Sequence, residues 1–515
     1  MADNLLILKG SKGLSIVSGD KPYGELKSLS ASNNVRSIDV STDGKYLAFA
    51  DNNFVKVVAL PACDTVFEKT GVNVNFVKLS PKSTVLATWH HFTASNTLNL
   101  NLYDISTQTH LIGWPQKKPS RWCPQWTDDE TVCVRHINME LNFYENNRYE
   151  RFTQRMCAQK VANYSMVTNS QTGCHYVACY TVGVKGQPSF VRIYQFPRFD
   201  GVAIANKSFY KADTVDFKWN HRGDSLLLVC STDVDQTGKS YYGQQTLHYL
   251  DITGQTFIVS LKKDGPIHNT AWVPGNSTLF CVIYGFMPAK TSLFNNKSET
   301  VFEFGEEMQN IISFNRFGNL VVLAGFGNLR GGVQVWDMKQ KKLISHFKAP
   351  DTTLVDWAPD GRHIMTATTA PRLRVGNGFR IWTYNGIREH ENIFDTNTEL
   401  NEIMWRPSLA FTEPIIEIPK ANAVPKPAEP KKYIPPHLRK TSTNPSANST
   451  KTSTPNPNPL SESEKKMKNV EKKLKQINDL KELMASGKTL EKNQMEKITK
   501  EQELLDELRE LSIHS

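Results

Sequence analysis

The strongest regularity in the chain is a repeated pattern of apolar and polar positions. In each copy an apolar or aromatic residue is followed by a short polar turn and then by an apolar run, as in "DFKWNHRGDSLLLVCST" and "VDWAPDGRHIMTATT". We call the residue before the turn the anchor. Successive anchors are 39 to 53 residues apart, and the nine anchors are Val40, Leu79, Trp126, Val167, Trp219, Trp272, Phe314, Trp357 and Trp405.

This spacing is typical of the blades of a β-propeller. A small antiparallel sheet cannot bury both of its faces alone, so such units stack around a common axis. No long amphipathic helix pattern occurs before residue 411, which excludes a helical solenoid. We therefore predict an all-β fold, a nine-bladed β-propeller of the WD-repeat-like kind over residues 1–412. The fourth unit is weak, so seven or eight blades, or two smaller propellers, are the alternatives.

The two ends of this region indicate how the ring closes. The unit at Trp405 contains one strand and then stops, whereas three apolar runs precede Val40, namely "NLLILKG", "GLSIVSG" and "GELKSLS". A blade built from one C-terminal and three N-terminal strands would close the ring and remove its exposed edges. The sequence therefore predicts a closing blade shared by both ends.

The composition changes after residue 412. Residues 413–460 are rich in Pro, Ser, Thr and Asn and predict a disordered linker, because they cannot bury enough apolar surface to fold. Residues 461–515 show three-four apolar spacing with a break at Gly487, which predicts a basic helical hairpin. The linker contains "KKYIPPHLRK", either a partner-binding segment or a chance apolar island. Its candidate contacts are Tyr433, Ile434, Leu438 and Arg439.

The net charge of +10 is spread unevenly along the chain. Residues 431–500 contain 16 basic and 7 acidic residues, whereas residues 1–420 contain 43 and 38. A dense basic segment favours a polyanionic partner, most often a nucleic acid; the alternative is a solvated tail. The lysines that we assign to nucleic-acid binding in the first predicted helix are Lys465, Lys466, Lys468, Lys472, Lys473 and Lys475.

Cysteine usage and apolar run length bear on the compartment. The eight cysteines are scattered and none forms a Cys-x-x-Cys pair, which favours free thiols in a reducing compartment. The apolar runs are too short for a membrane span, and "MADNLLILKG" lacks the basic start of a secretory signal. We predict a cytoplasmic protein without a membrane partner.

Several stretches resemble cofactor-binding motifs but lack a residue that the motif requires. Two phosphate-loop look-alikes carry Glu482 and Asp233 where the first glycine is required, and a calcium-loop look-alike has Gln244 in place of its terminal glutamate. A dinucleotide fingerprint in "VLAGFGNLRGG" is broken by Arg330. We predict no cofactor, no metal site and no enzyme; a catalytic site built from residues far apart in sequence is the less favoured alternative.

Basic and aromatic residues recur in the connections between the second and third strands of the predicted blades. These connections emerge on one face of a propeller, so their residues would lie together. The set suits RNA, through phosphate contacts and stacking on unpaired bases; the alternative is ordinary basic surface loops. The candidates are Arg135, Lys185, Lys239, Tyr241, Tyr242, Lys290, Arg330, Arg372 and Arg374.

Several long runs carry a family resemblance. "STDVDQTGKSYYGQQTLHY", "VLAGFGNLRGG", "ATTAPRLRVGNGFRIW" and "LEKNQMEKITKEQELL" resemble the eukaryotic translation initiation factor 2A family. The resemblance implies a cytoplasmic factor that binds the small (40S) ribosomal subunit and initiator methionyl-tRNA without GTP, at non-AUG or internally initiated messages. Messenger RNA and other initiation factors are further partners that it implies. The alternative is a ribosome-associated protein scaffold without direct tRNA binding, similar to the propeller subunit of initiation factor three.

Overall fold

The computed structural model describes residues 3–417, apart from 31–33, 95–96, 158–159, 184–186, 200, 211, 233–242 and 396, and it also describes residues 477 and 481. The chain divides into two compact units, Met1–Val424 and Pro425–Ser515. No helix among the described residues is long and apolar enough to cross a membrane. The predicted linker beyond residue 417 and the predicted hairpin lie outside the described residues, apart from Ile477 and Lys481, which are helical. The same holds for the candidate contacts Tyr433, Ile434, Leu438, Arg439, Lys465, Lys466, Lys468, Lys472, Lys473 and Lys475.

The described residues form nine four-stranded antiparallel sheets, each of which is one blade. The closing blade is β1 (Leu5–Gly10), β2 (Gly13–Ser18), β3 (Glu25–Ser30) and β36 (Leu400–Trp405). Blade 1 contains β4 (Ser37–Val40), β5 (Tyr46–Ala50), β6 (Phe54–Ala59) and β7 (Asp64–Thr70), and blade 2 contains β8 (Phe76–Leu79), β9 (Val85–Trp89), β10 (Leu100–Asp104) and β11 (His110–Trp114). Blade 3 contains β12 (Gln125–Trp126), β13 (Val132–Ile137), β14 (Glu140–Glu145) and β15 (Gln154–Met156), and blade 4 contains β16 (Val161–Thr168), β17 (His175–Thr181), β18 (Ser189–Gln195) and β19 (Ala205–Phe209). Blade 5 contains β20 (Thr214–Trp219), β21 (Ser225–Ser231), β22 (Gln245–Asp251) and β23 (Thr256–Ile258), and blade 6 contains β24 (Ile267–Trp272), β25 (Leu279–Tyr284), β26 (Ala289–Asn295) and β27 (Thr300–Glu307). Blade 7 contains β28 (Ile311–Phe314), β29 (Leu320–Ala324), β30 (Gly332–Asp337) and β31 (Lys342–Lys348), and blade 8 contains β32 (Leu354–Trp357), β33 (His363–Thr368), β34 (Gly378–Thr383) and β35 (Arg388–Ile393). A single 3-10 turn, Pro119–Arg121, precedes blade 3.

The anchors lie at the ends of the innermost strands. First strands of neighbouring blades contact each other in most of the ring, as β24 contacts β28 and β28 contacts β32. Each anchor is the last residue of such a strand, except Val167, which is the last but one. The indole Nε1 of Trp272 donates to the Lys218 carbonyl in the preceding blade at 2.7 Å, and that of Trp357 donates to Ser313 at 2.9 Å. Trp357 is buried and Trp272 is partly buried, and each joins two blades through its ring and one satisfied N–H group.

The ring closes as the sequence predicts. Strand β36 pairs antiparallel with β1, so that Ile403 lies opposite Leu8 and Trp405 lies opposite Leu6. These residues are almost fully buried and share one core cluster with residues of blade 8. The all-β, nine-bladed propeller with a closing blade from both ends is therefore confirmed.

The chain after β36 lies across the ring as a strap, residues 406–417. The guanidinium Nε of Arg406 donates to the Gly44 carbonyl at 2.8 Å, and Glu413 pairs with Lys339 at 2.8 Å. Ile416 packs against the core between blades 7 and 8. Residues 413–417, which the sequence places in the linker, thus pack against the ring.

Strand direction divides the surface of the ring into two faces. We call one the connection face, because it carries the connections between second and third strands and those between consecutive blades. The other is the turn face, which carries the first-to-second and third-to-fourth turns and also the strap. Both kinds of connection share a face because the four strands of an antiparallel blade alternate in direction.

Candidate nucleic-acid interface

The predicted basic candidates on the ring lie in different surroundings. Lys185, Lys239, Tyr241 and Tyr242 lie outside the described residues. Of the other five, Arg330, Arg372 and Arg374 are exposed on the connection face, Lys290 is partly exposed, and Arg135 is buried. The structure therefore brings together a smaller set than the sequence proposes.

Arg330 lies in a turn that is held rigidly. The turn, residues 325–331, joins β29 to β30, and its ends are joined by hydrogen bonds from the Gly325 N–H to the Gly332 carbonyl and from the Gly331 N–H to the Gly325 carbonyl, both 2.9 Å. Gly331 has a φ of 75°, and a Cβ there would lie 2.4 Å from the Ala349 carbonyl oxygen, so only glycine fits. The turn therefore presents the Arg330 side chain from a preorganised backbone.

The apolar part of the same turn packs inward. Phe326 is 3% exposed and joins the core between blades 7 and 8. The side chain of Asn310 brackets it, since Nδ2 donates to the Phe326 carbonyl and Oδ1 accepts from the Phe326 N–H, both at 3.0 Å. The glycine-rich stretch is thus a hairpin turn between two strands, and the helix that a dinucleotide loop requires is replaced by β30.

Arg372 of blade 8 reaches the turn of blade 7. Its Nη2 lies 3.0 Å from the position that a Cβ on Gly327 would occupy. Gly327 has a φ of 77°, so a side chain there would be both strained and in contact with the guanidinium. The connection that carries Arg372, residues 369–377, is fixed at its base by Asn377, whose Nδ2 donates to the Thr368 carbonyl at 3.0 Å. Two rigid connections from neighbouring blades thus bring Arg330 and Arg372 to one area of the connection face.

The charges of these two arginines are uncompensated within the described residues. No ion pair there involves Arg330 or Arg372. In contrast, Arg374 pairs with Glu399 at 3.0 Å and Lys290 pairs with Glu303 at 2.9 Å. The hydrogen bond from Lys290 to Glu303 raises the pKa of Lys290. Arg330 and Arg372 are therefore the described members of the predicted set that are freest to meet an anion.

Arg135 has a structural role. It lies within β13, is 7% exposed, and donates from Nη2 to the Pro115 carbonyl at 2.7 Å. Its guanidinium also lies 4.7 Å from the centroid of the Trp114 ring, a cation–π distance. Burial lowers the pKa of this arginine. We leave it out of the interface, because it supports the start of the connection between blades 2 and 3.

That connection contains basic residues that the sequence reasoning missed. Lys117, Lys118 and Arg121 are exposed on the connection face, next to the aromatic residues Phe76 and Trp122. The predicted candidates on the ring come only from connections between second and third strands. The run "PQKKPSRW" was visible, and strand alternation places it on the same face.

One group of described side chains has the spacing of a metal site. Ligand atoms of Asp20, Asp360 and His363 lie within 4.8 Å of one another on the turn face. Hydrogen bonds already occupy them: Asn4 Nδ2 donates to Asp20 at 2.8 Å and to Asp360 at 3.0 Å, and His363 Nδ1 lies 2.5 Å from Asp360 Oδ2. Since Asn4 and Asp20 belong to the closing blade, the group acts as a polar latch between that blade and blade 8.

Neighbouring charges and hydrogen bonds set the pKa values of the side chains in the latch. Burial opposes the charge of His363, but the hydrogen bond and charge of Asp360, helped by Glu389 and Asp20, raise the pKa of His363. Burial likewise opposes the charge of Asp360, but His363 and two backbone N–H groups lower its pKa. Glu389 accepts a hydrogen bond from the Tyr23 hydroxyl at 2.8 Å, and its pKa is lowered although burial acts in the other direction. The raised pKa of His363 and the lowered pKa of Asp360 both favour the ion pair in the latch.

Comparison with known proteins identifies the family. The family model described as "Eukaryotic translation initiation factor eIF2A" matches residues 207–402. The chain is 37% identical over 432 residues to eukaryotic translation initiation factor 2A of Drosophila melanogaster, which covers 80% of this chain and 67% of that protein. It is 32% identical over 529 residues to the protein of the same name from Caenorhabditis elegans, with 92% of each covered. The chain belongs to the eukaryotic translation initiation factor 2A family.

A solved structure of related fold agrees with this assignment. The structure described as "Crystal structure of the eukaryotic initiation factor" is 28% identical, with a TM-score of 0.71, and covers 79% of this chain and 99% of that one. As a member of the initiation factor 2A family, the chain is a translation initiation factor and not an enzyme. Arg330 and Arg372 on blades 7 and 8 lie within the residues that the family model matches.

Proposed function

We propose that the protein acts in the cytoplasm by binding the small ribosomal subunit and initiator methionyl-tRNA without GTP, at non-AUG, internally initiated or otherwise regulated messages. The observation that carries the RNA-binding part is the pair Arg330 and Arg372, two exposed and uncompensated cations on rigid connections of neighbouring blades. Arginine is suited to phosphate, because its guanidinium can donate two hydrogen bonds to one phosphate group of an RNA backbone. Messenger RNA and other initiation factors are the further partners of this proposal.

The basic segment supports a second contact with the ribosome. Residues 431–500 carry nine more basic than acidic residues, and such a density favours a polyanionic surface. GTP independence is supported by the two phosphate-loop look-alikes that carry an acid, Glu482 or Asp233, at the first glycine position, because an acid there repels phosphate. The tail and the connection face would then provide two separate RNA contacts on one chain.

The test is filter binding of initiator methionyl-tRNA to the full chain carrying Arg330→Glu and Arg372→Glu. Each charge-assisted phosphate contact contributes about 1.5–3 kcal/mol, so loss of two weakens binding by at least about a hundredfold. Arg374→Glu alone has a smaller effect, because the pair with Glu399 already satisfies that arginine.

The matched control is Arg148→Glu with Arg151→Glu, two exposed arginines in the third-to-fourth strand turn of blade 3, on the turn face. It makes the same change in net charge and is expected to keep tRNA affinity within about twofold. Equal affinities for the two double variants would contradict the assignment. If the parent chain binds 40S subunits but no tRNA, the scaffold alternative is correct instead.

A further inference from the structure

Three aromatic rings form a stack on the connection face of blade 2. The Phe76 ring lies 5.4 Å from the Trp89 ring with 26° between their planes, and 6.0 Å from the Trp122 ring with 19° between the planes. Trp89 is 1% exposed, whereas Phe76 is 40% exposed and Trp122 is partly exposed. The stack therefore begins in the core and ends with an aromatic surface open to solvent, where a further flat ring can pack in the same way.

Three cations lie in the connection that also carries Trp122. Lys117, Lys118 and Arg121 are exposed in the connection between β11 and β12. The Lys117 ammonium lies 5.5 Å from the Phe92 ring, and Arg121 Nη1 lies 3.3 Å from the Nδ1 atom of His136. None of the ion pairs formed by the described residues includes Lys117, Lys118 or Arg121. The connection that carries Trp122 thus also carries three positive charges that form no ion pair with the described residues.

The field of these cations acts on a neighbouring histidine. Burial lowers the pKa of His136, and the charges of Arg121 and Lys118 lower it further. His136 Nε2 is held 2.9 Å from the Val161 carbonyl, so the ring is fixed in this position. A cation nearby is disfavoured by the local field, and an anion is favoured.

The connection that carries the cations is held in one conformation. Asn99 is fully buried; its Oδ1 accepts from the Gln116 N–H at 2.7 Å, and its Nδ2 donates to the Gln116 carbonyl at 2.9 Å. The Gln116 side chain in turn donates to the carbonyls of Lys118 and Arg121, at 3.2 and 3.1 Å. Because the backbone of this connection is already ordered, ligand binding costs little backbone conformational entropy, and only the side chains lose freedom.

A polar cleft runs beside the stack. It has a volume of about 430 Å³ and is lined by Arg36, Asn73, Asn75, His90, His91 and Thr93. The ring of His91 lies edge-on to Trp89 at 5.2 Å, so the cleft and the stack adjoin. Amide, imidazole and guanidinium groups suit a ribose–phosphate backbone, while the neighbouring rings suit bases.

We propose that this surface, Phe76 and Trp122 bordered by Lys117, Lys118 and Arg121, binds an unpaired segment of RNA by stacking a base on the exposed rings and contacting its phosphates. A protein partner fits less well, because lysine is depleted at the centre of protein interfaces. The inference rests on the proposed function in assuming an RNA ligand, but it concerns a different part of the ring. Blade 1 and the closing blade separate it from Arg372 in blade 8.

The test is fluorescence anisotropy with a labelled twelve-nucleotide oligouridylate and, for comparison, a twelve-base-pair RNA duplex. The protein is the full chain carrying Lys465→Glu, Lys466→Glu, Lys472→Glu and Lys473→Glu, so that the tail contributes little. In this background Phe76→Ala is expected to weaken binding of the oligouridylate about tenfold, the loss typical of removing one stacking ring. Phe76→Tyr keeps the ring and is expected to restore parental affinity, while Phe76→Leu keeps only the apolar volume and is expected to bind as weakly as Phe76→Ala.

The cations are tested by the salt dependence. Lys117→Glu, Lys118→Glu and Arg121→Glu together are expected to reduce the slope of log affinity against log salt by about 2, since each phosphate contact to a single strand contributes about 0.7. The matched control is Lys82→Glu, Lys297→Glu and Arg151→Glu, which changes two lysines and one arginine that are exposed on the turn face. Its slope is expected to equal that of the parent.

Three results would overturn the proposal. They are unchanged oligouridylate affinity in Phe76→Ala, equal losses for oligouridylate and duplex, and equal slopes for the two triple variants. Each result is distinguishable from failure of the proposed function. If Phe76→Ala and the triple variant at Lys117, Lys118 and Arg121 lose oligouridylate binding while the parent binds neither initiator tRNA nor 40S subunits, the inference holds and the proposed function fails. If they keep oligouridylate binding while Arg330→Glu with Arg372→Glu loses tRNA, the reverse is true.

Discussion

The closing blade allows one stability prediction to be worked out in detail, from the substitution Ile403→Ala. Ile403 is 2% exposed in β36 and faces Leu8 across the only strand pair that joins the two ends of the ring among the described residues. It shares its core cluster with Met365 and Phe379, both fully buried in blade 8. The side chain therefore contributes both to the closing blade and to its packing on the neighbouring blade.

The magnitude follows from the surroundings of the side chain. Truncation of a buried isoleucine to alanine costs about 2–5 kcal/mol, and the cost is higher where the neighbours cannot move in. The neighbours here belong to paired strands on two blades, so we expect about 3 kcal/mol. An unfolding entropy of about 2.1 cal/mol/K per residue gives about 0.8 kcal/mol/K for a ring of about 400 residues, and hence a fall in Tm of about 4 °C.

The assay is thermal unfolding followed by circular dichroism at a fixed scan rate. The matched control is Ile258→Ala, the same substitution at a side chain that is 61% exposed on the outermost strand β23. Its cost is expected to stay within about 0.5 kcal/mol, or less than 1 °C. If Ile403→Ala shifts Tm by less than 1 °C, or by no more than the control, then β36 does not close a packed blade and the reasoning fails.

Two further predictions concern the latch and the tail. Because the pKa of His363 is raised, its contribution to stability is complete below about pH 6.5 and is lost as the pH rises through the folded-state pKa. Because the pKa values of Asp360 and Glu389 are lowered, their contribution is present above about pH 4.5 and is lost in more acidic solution. The latch therefore stabilises the fold most between about pH 4.5 and 6.5. His363→Gln can still form a hydrogen bond to Asp360 but cannot titrate, so we expect the fall in Tm between pH 6.5 and 8.5 to be smaller in this variant. Parallel curves of Tm against pH for parent and variant would contradict the role of His363. For the tail, Lys465→Glu, Lys466→Glu, Lys472→Glu and Lys473→Glu together are expected to weaken co-sedimentation with 40S subunits and to reduce its salt dependence. Co-sedimentation unaffected by the four changes would remove the tail from the proposal.

The fold was predictable because its signal is repeated. Each blade places an apolar anchor at or next to the end of its innermost strand, where it is buried or partly buried. Trp272 and Trp357 show why an indole suits this place, since each donates a hydrogen bond to the preceding blade. The closing blade was also predictable from the sequence. The single strand at Trp405 needs partner strands, and the apolar runs that no other blade uses precede Val40. Repetition makes a weak local pattern reliable when nine copies agree.

The candidate site was less predictable because side-chain surroundings depend on register. Lys290 looked like a loop cation, but the connection before β26 is short, so the lysine lies within the strand and meets Glu303 of β27. Arg135 likewise falls inside β13, beneath a connection that only the fold brings to it. Arg330 and Arg372 lie exposed in connections between strands, where neighbouring glycines and a proline keep them out of the strands, and their assignment to RNA binding stays a prediction.

The central claim, that the connection face binds RNA, is tested most directly by mapping ultraviolet crosslinks between the full chain and RNA in cells, with sequencing of the RNA and mass spectrometry of the attached peptides. Initiator tRNA and small-subunit rRNA are expected to dominate the RNA. The peptides from the ring are expected to include residues 115–124, 325–331 and 369–377. Crosslinks on the ring that are confined to the turn face, such as residues 146–153 or the strap at 406–417, would contradict the account.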